Sequence, residues 1–211
     1  MATYQCADWL GLAFGIANTV GPTINQRANP PQAESYKTYL ASVALTAPEN
    51  FGFLKGSTLY AGVVSGFNAS GTNNQTSWYA GATMATPVTG FKTGFSYDYR
   101  GVGSNQPGGP NYINVFAWYA SLQATEKLSF HGRGEFLWMS HSLGGPTLPS
   151  KVLAFTGTMQ YDLWKNVLSR LEIRWDHSAN GTEAYGGDPG GAGTPTKKNS
   201  VLVAANIVYK F

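Results

Sequence analysis

Apolar and polar residues alternate with a period of two along most of this chain. Leu10, Leu12, Phe14 and Ile16 fall on one face, against Gly11, Ala13, Gly15 and Ala17. The same holds for Tyr39, Ala41, Val43 and Leu45 against Ser42, Ala44 and Thr46. It holds again for Leu59, Ala61, Val63 and Phe67 against Thr58, Tyr60 and Gly62, and for Trp78, Ala80, Ala82 and Met84 against Tyr79, Gly81 and Thr83. Later segments are sharper. Phe91, Thr93, Phe95, Tyr97 and Tyr99 oppose Lys92, Gly94, Ser96, Asp98 and Arg100. Leu128, Phe130, Phe136 and Trp138 oppose Ser129, His131, Arg133 and Glu135. Leu153, Phe155, Met159 and Tyr161 oppose Thr156, Thr158, Gln160 and Asp162, and Leu171, Ile173 and Trp175 oppose Arg170, Glu172, Arg174 and Asp176. Residues 111–124 are apolar on both faces; Phe116, Trp118 and Leu122 are assigned to the outward one. With the last segment, Val201–Phe211, this predicts about ten half-buried β-strands.

Periodicity alone does not say which solvent wets the apolar face. In a β-sandwich it is a protein core, and in a membrane barrel it is lipid, with the charged face lining the lumen. Two further patterns favour lipid. Trp9, Trp78, Tyr99, Trp138, Tyr161, Trp164, Trp175, Tyr209 and Phe211 fall near strand ends, where amphipathic rings mark a membrane boundary. The connections also alternate short and long. Short ones (47–55, 87–90, 125–127, 162–166) and Gly/Asn/Pro/Ser-rich long ones (20–35, 68–75, 102–110, 140–150, 178–199) never change sides. Strands of about 11 residues at ~3.3 Å each, tilted by ~40°, reach ~28 Å, the height of a barrel's apolar band.

Composition sharpens this. Only 12% of the 211 residues are charged, while Gly (26), Tyr (12), Phe (11) and Trp (6) are abundant. No stretch of about 20 residues is apolar enough for a spanning helix. The single cysteine, Cys6, excludes an internal disulfide and a cysteine-based metal cluster. The formal charge of +3 comes from scattered basic residues, which does not describe a nucleic-acid surface.

The closing strand, Val201–Phe211, resembles the terminal strand that insertion machinery reads in bacterial outer-membrane barrels. Val203, Ile207, Tyr209 and Phe211 would carry that signal. Beyond it, Leu171–Asn180, Asn206–Phe211, Ala7–Leu10, Ala124–Ser129 and Arg133–Phe136 resemble the OmpL-like β-barrel porins of Gram-negative outer membranes. The resemblance implies an all-β, transmembrane antiparallel up-and-down β-barrel in the outer membrane with a pore role, and supplies no catalytic motif. Residues 1–8 hold no secretion signal, and residues 2–5 read as the end of a preceding strand. The expectation is one barrel domain over 1–211 that is the C-terminal part of a longer barrel. A complete ten-strand barrel with a short N-terminal tail is the rival.

The candidate pore lining is Lys92, Asp98, Arg100, His131, Arg133, Glu135, Arg170, Glu172, Arg174 and Asp176. These charges set ion preference in an open channel or plug a narrow barrel through cross-strand pairs. Expected partners are outer-membrane lipid, the barrel insertion machinery and small hydrophilic solutes crossing by passive diffusion, with room for a homo-oligomer or larger membrane complex. No cofactor is called for. The alternatives are a closed barrel acting as a scaffold or partner-binding protein, and an outer-membrane hydrolase. For the hydrolase, Asp176-His177 and His141-Ser142 are the nearest to a site, yet adjacent strand residues point to opposite faces. His131, His141 and His177 are too widely spaced for a metal.

Overall fold

The alternation becomes a single antiparallel sheet. A computed structural model describes residues 1–18, 37–67, 74–102, 112–140, 149–187 and 193–210. Its strands are β1 (Ala2–Ala7), β2 (Leu10–Ala17), β3 (Thr38–Thr46), β4 (Thr58–Phe67), β5 (Asn74–Ala85), β6 (Phe91–Val102), β7 (Tyr112–Gln123), β8 (Leu128–Met139), β9 (Lys151–Trp164), β10 (Val167–Ser178) and β11 (Asn199–Tyr209). Each pairs with its sequence neighbours, so the order is up-and-down throughout. Eleven strands are present rather than ten, because Ala2–Ala7, read as the tail of a strand, pairs with β2 as a strand itself. No described helix is long and apolar enough to cross a membrane.

The sheet is an open arc among the described residues: β1 and β11 are not paired with each other. Both run toward the short-turn end, so pairing them directly would make a parallel contact. The arc is curved. Tyr60 on β4 and Glu172 on β10, six strands apart, line one hollow.

Register fixes which residues share a face. Trp78 faces Val63 and Tyr99, and Tyr99 faces Asn114, which faces Trp138. The predicted apolar set therefore forms one continuous convex face. Phe116, Trp118 and Leu122 join it, which settles the segment that was apolar on both sides. This face covers no core. Ile173 is 56% exposed, Phe155 51% and Ile207 71%. The best-buried apolar residues, Ala117 and Ala154 at 2%, lie instead on the concave face. A sandwich buries its apolar side, and this sheet does the reverse.

The rings expected at strand ends sort to two levels, while Phe116 and Trp118 lie between them. Trp78, Tyr99, Trp138 and Trp175 lie toward the long loops, and Trp9, Tyr161, Trp164 and Tyr209 toward the short turns. Phe155 stacks on Trp175 with centroids 5.9 Å apart, and Phe136 on Trp138 at 5.5 Å. Asn114, buried on this apolar face, accepts a 2.7 Å hydrogen bond from the Tyr97 hydroxyl, so its polarity is satisfied. In the turn between β3 and β4 a 3-10 helix spans Glu49–Leu54 and leaves Phe51 and Phe53 exposed at the short-turn end.

Candidate functional site: the concave face

The ten charged residues expected to line a pore all fall on the concave face. Lys92, Asp98 and Arg100 are on β6, His131, Arg133 and Glu135 on β8, and Arg170, Glu172, Arg174 and Asp176 on β10. The register links them laterally. Lys92 faces Ser121, which faces His131, which faces Thr158, which faces Glu172. A period of two on each strand and a fixed register between strands are enough to align them.

Four of the ten form a network. Arg174 gives Nη1 to Glu135 Oε2 at 2.9 Å, reaching over β9 to β8. Its Nη2 bonds Asp176 Oδ1 at 2.8 Å. Arg133 Nε lies 3.1 Å from the same Glu135 oxygen, near enough for an ion pair but angled so that no hydrogen bond forms. Two cations thus share Glu135, and all four groups are at least partly desolvated. Their mutual attraction is screened less than at an open surface. Glu172 accepts from the Thr158 hydroxyl at 3.0 Å, Arg170 donates to Gln160 at 3.0 Å, and His131 bonds Ser129 at 3.0 Å. These contacts run along the wall, within a strand, between neighbours or over one intervening strand, rather than across the hollow. Asp98, Lys92 and Arg100 are exposed and make no hydrogen bond or ion pair among the described residues.

The hollow itself measures ≈ 670 Å³ and mixes charge with aromatic rings: Tyr60, Tyr79 and Tyr119 line it beside Lys92, Asp98, His131, Arg133 and Glu172. Periodicity puts Tyr60 and Tyr79 on the polar side without singling them out, and Tyr119 lies in the segment apolar on both faces. Toward the long loops, residues 184–185 and 196–197 pair through an isolated bridge, Tyr185 with Lys197. Tyr185 sits within electrostatic reach of Asp176 and Arg174; burial, and then the Asp176 charge, raise its pKa above the usual phenol value.

No constellation for nucleophilic catalysis is present among the described residues. Asp176 is held by Arg174 on the concave face. His177 lies on the convex face, bonded through Nδ1 to Asn199 Oδ1 at 2.8 Å and stacked on Trp175. The pair diverges as strand alternation requires. His141-Ser142 lies outside the described residues. No group of three or more His, Cys, Asp or Glu residues able to hold a metal occurs among them.

A polar concave wall, a bare apolar convex wall and up-and-down order are the features of a barrel porin. A family model described as "Putative beta-barrel porin-2, OmpL-like" matches residues 1–211, the whole chain. The chain belongs to this family. A comparison with curated proteins finds no match. For an OmpL-like porin the concave face is the one that would meet water, and the charged set just described lies on it.

The terminal residues expected to carry an insertion signal are only partly visible. Val203, Ile207 and Tyr209 line up on the convex face of β11, all well exposed. Phe211 lies outside the described residues.

Proposed function

We propose that the chain forms the wall of an outer-membrane channel through which small hydrophilic solutes diffuse passively. The observation that carries this reading is the inversion of the sheet. Its large apolar side chains stand bare on the convex face, and its charges gather on the concave one. Hydrocarbon is the medium that accepts the first, and an aqueous lumen accepts the second. The location follows: a bacterial outer membrane, with lipid against the convex face and the insertion machinery acting on β11 through Val203, Ile207 and Tyr209. Among the described residues the outer edges of β1 and β11 carry unpaired backbone groups, which find no water in hydrocarbon, so further strands, of this chain or another, pair with both edges there.

A blocked lumen is the competing arrangement, and the Glu135–Arg174–Asp176 network is the group that would serve it. The network lies along the wall across β8–β10 and bridges no distant strands, which favours an open path. Planar-bilayer recording of the refolded full chain tests this. Discrete conductance steps in potassium chloride are expected. Folded protein that inserts and gives no steps would leave the scaffold reading in its place.

A further inference from the structure

We infer that the hollow on the concave face is a sugar subsite, in which tyrosine rings receive the faces of neutral pyranose units as an oligosaccharide passes. The inference rests on the channel reading and adds a solute class to it.

Tyr60, Tyr79 and Tyr119 stand on three different strands, β4, β5 and β7, yet they converge. The Tyr79 hydroxyl occupies the space a Cβ on Gly81 would need, so its ring lies down along β5. Tyr60 stands directly opposite Gly81. The Tyr119 hydroxyl reaches Ser96 at 3.3 Å, and Ser96 faces Gly81 from β6. Small residues at Gly81 and Ser96 thus make a floor over which large rings recline. The three rings remain 42%, 41% and 39% exposed on the face that also carries the charged set. Exposed rings in a wet lumen lack a partner of their own kind, and a sugar's C–H face supplies one.

The border groups fit hydroxyls. Asp98 accepts and Lys92 donates, and neither makes a hydrogen bond or ion pair among the described residues. The lining carries Lys92 and Arg133 against Asp98 and Glu172, so its formal charges balance and favour neither sign of ion, whereas a polyol uses donors and acceptors alike. The ≈ 670 Å³ volume lies within the usual range for small-molecule sites.

The test is single-channel current in potassium chloride with a linear α-1,4-linked glucose hexamer added, and a polyethylene glycol of equal size as the steric control. The hexamer is expected to interrupt the current at concentrations where the glycol does not. Tyr79→Ala should raise the half-blocking concentration roughly tenfold, about one stacking contact. Tyr79→Phe should leave it within about threefold, since the ring is kept. Heat-shifted electrophoretic mobility reports folding, and Tyr60→Ala replaces Tyr79→Ala if the latter fails to fold. A conducting channel blocked no better by sugar than by glycol overturns the subsite and leaves the channel standing. If the protein does not conduct, the channel reading falls. Hexamer titration of the micelle-folded protein by calorimetry then decides the subsite: heat of binding lost in Tyr79→Ala keeps it, and no heat removes it.

Discussion

Ile173→Arg is the substitution whose cost depends most on what surrounds the convex face. Ile173 is the seventh residue of the 12-residue β10, close to its middle, and projects from the convex side with more than half its surface free. In a water-soluble sheet an arginine at so open a position changes stability by no more than about 0.5 kcal/mol. At the midplane of a bilayer it costs about 2–4 kcal/mol, a change of roughly 30- to 700-fold in the folding equilibrium. Ile207→Arg is the internal control. Ile207 has the same side chain and face but sits near the short-turn end of β11, where the arginine reaches the interface and costs about 0–1 kcal/mol. Folding into lipid vesicles, followed by guanidinium titration at equilibrium, gives both values. Equal costs at the two positions, or a negligible cost at Ile173, would refute the assignment of the convex face to lipid.

Three further outcomes follow from the geometry. Arg174→Gln removes the cation shared by Glu135 and Asp176; about 1–2 kcal/mol of stability should be lost, between the values for exposed and buried pairs. In a salt gradient the reversal potential should move toward cation preference, because the wall loses positive charge. Gly81→Val places a side chain where the Tyr79 hydroxyl lies, and the forced shift of the ring should cost about 1–3 kcal/mol, read from the same titration. Tyr185 ionises later when folded than when unfolded. Its contribution is therefore complete below the ordinary phenol pKa of about 10 and is lost as pH rises through the elevated folded value. Tyr185→Phe should remove that alkaline loss while leaving stability at neutral pH nearly unchanged, as followed by tyrosinate absorbance and by unfolding at high pH.

Much of this architecture was legible from period-two patterning. Phe91–Tyr99 against Lys92–Arg100 gave β6 and both of its faces, because one contrast in polarity repeats without interruption. The assignment of Phe116, Trp118 and Leu122 needed register, since Val115 and Ala117 are apolar too and only the pairing with β6 and β8 shows which set joins the convex face. Ala2–Ala7 was under-read because its residues scarcely alternate, and its pairing with β2 makes it a strand. The helical turn at Glu49–Leu54 is held by local hydrogen bonds such as Phe51 N–H to the Pro48 carbonyl, which alternation does not encode. The charged set on β6, β8 and β10 was readable strand by strand. Its network was not, because Arg174 reaches Glu135 across an intervening strand. The tyrosine cluster escaped for a related reason: its signal is a glycine opposite a tyrosine, visible only once strands are aligned.

The central claim concerns the medium on each side of the wall, and nitroxide accessibility reads it directly. With exposed Cys6 replaced by serine, single cysteines at positions 170 to 176 of β10 would be labelled in vesicles and probed with oxygen and with a water-soluble nickel complex. Labels at 171, 173 and 175 should collide with oxygen, and those at 170, 172, 174 and 176 with nickel. Nickel access at every position, or protection from both reagents at 171, 173 and 175, would contradict the account.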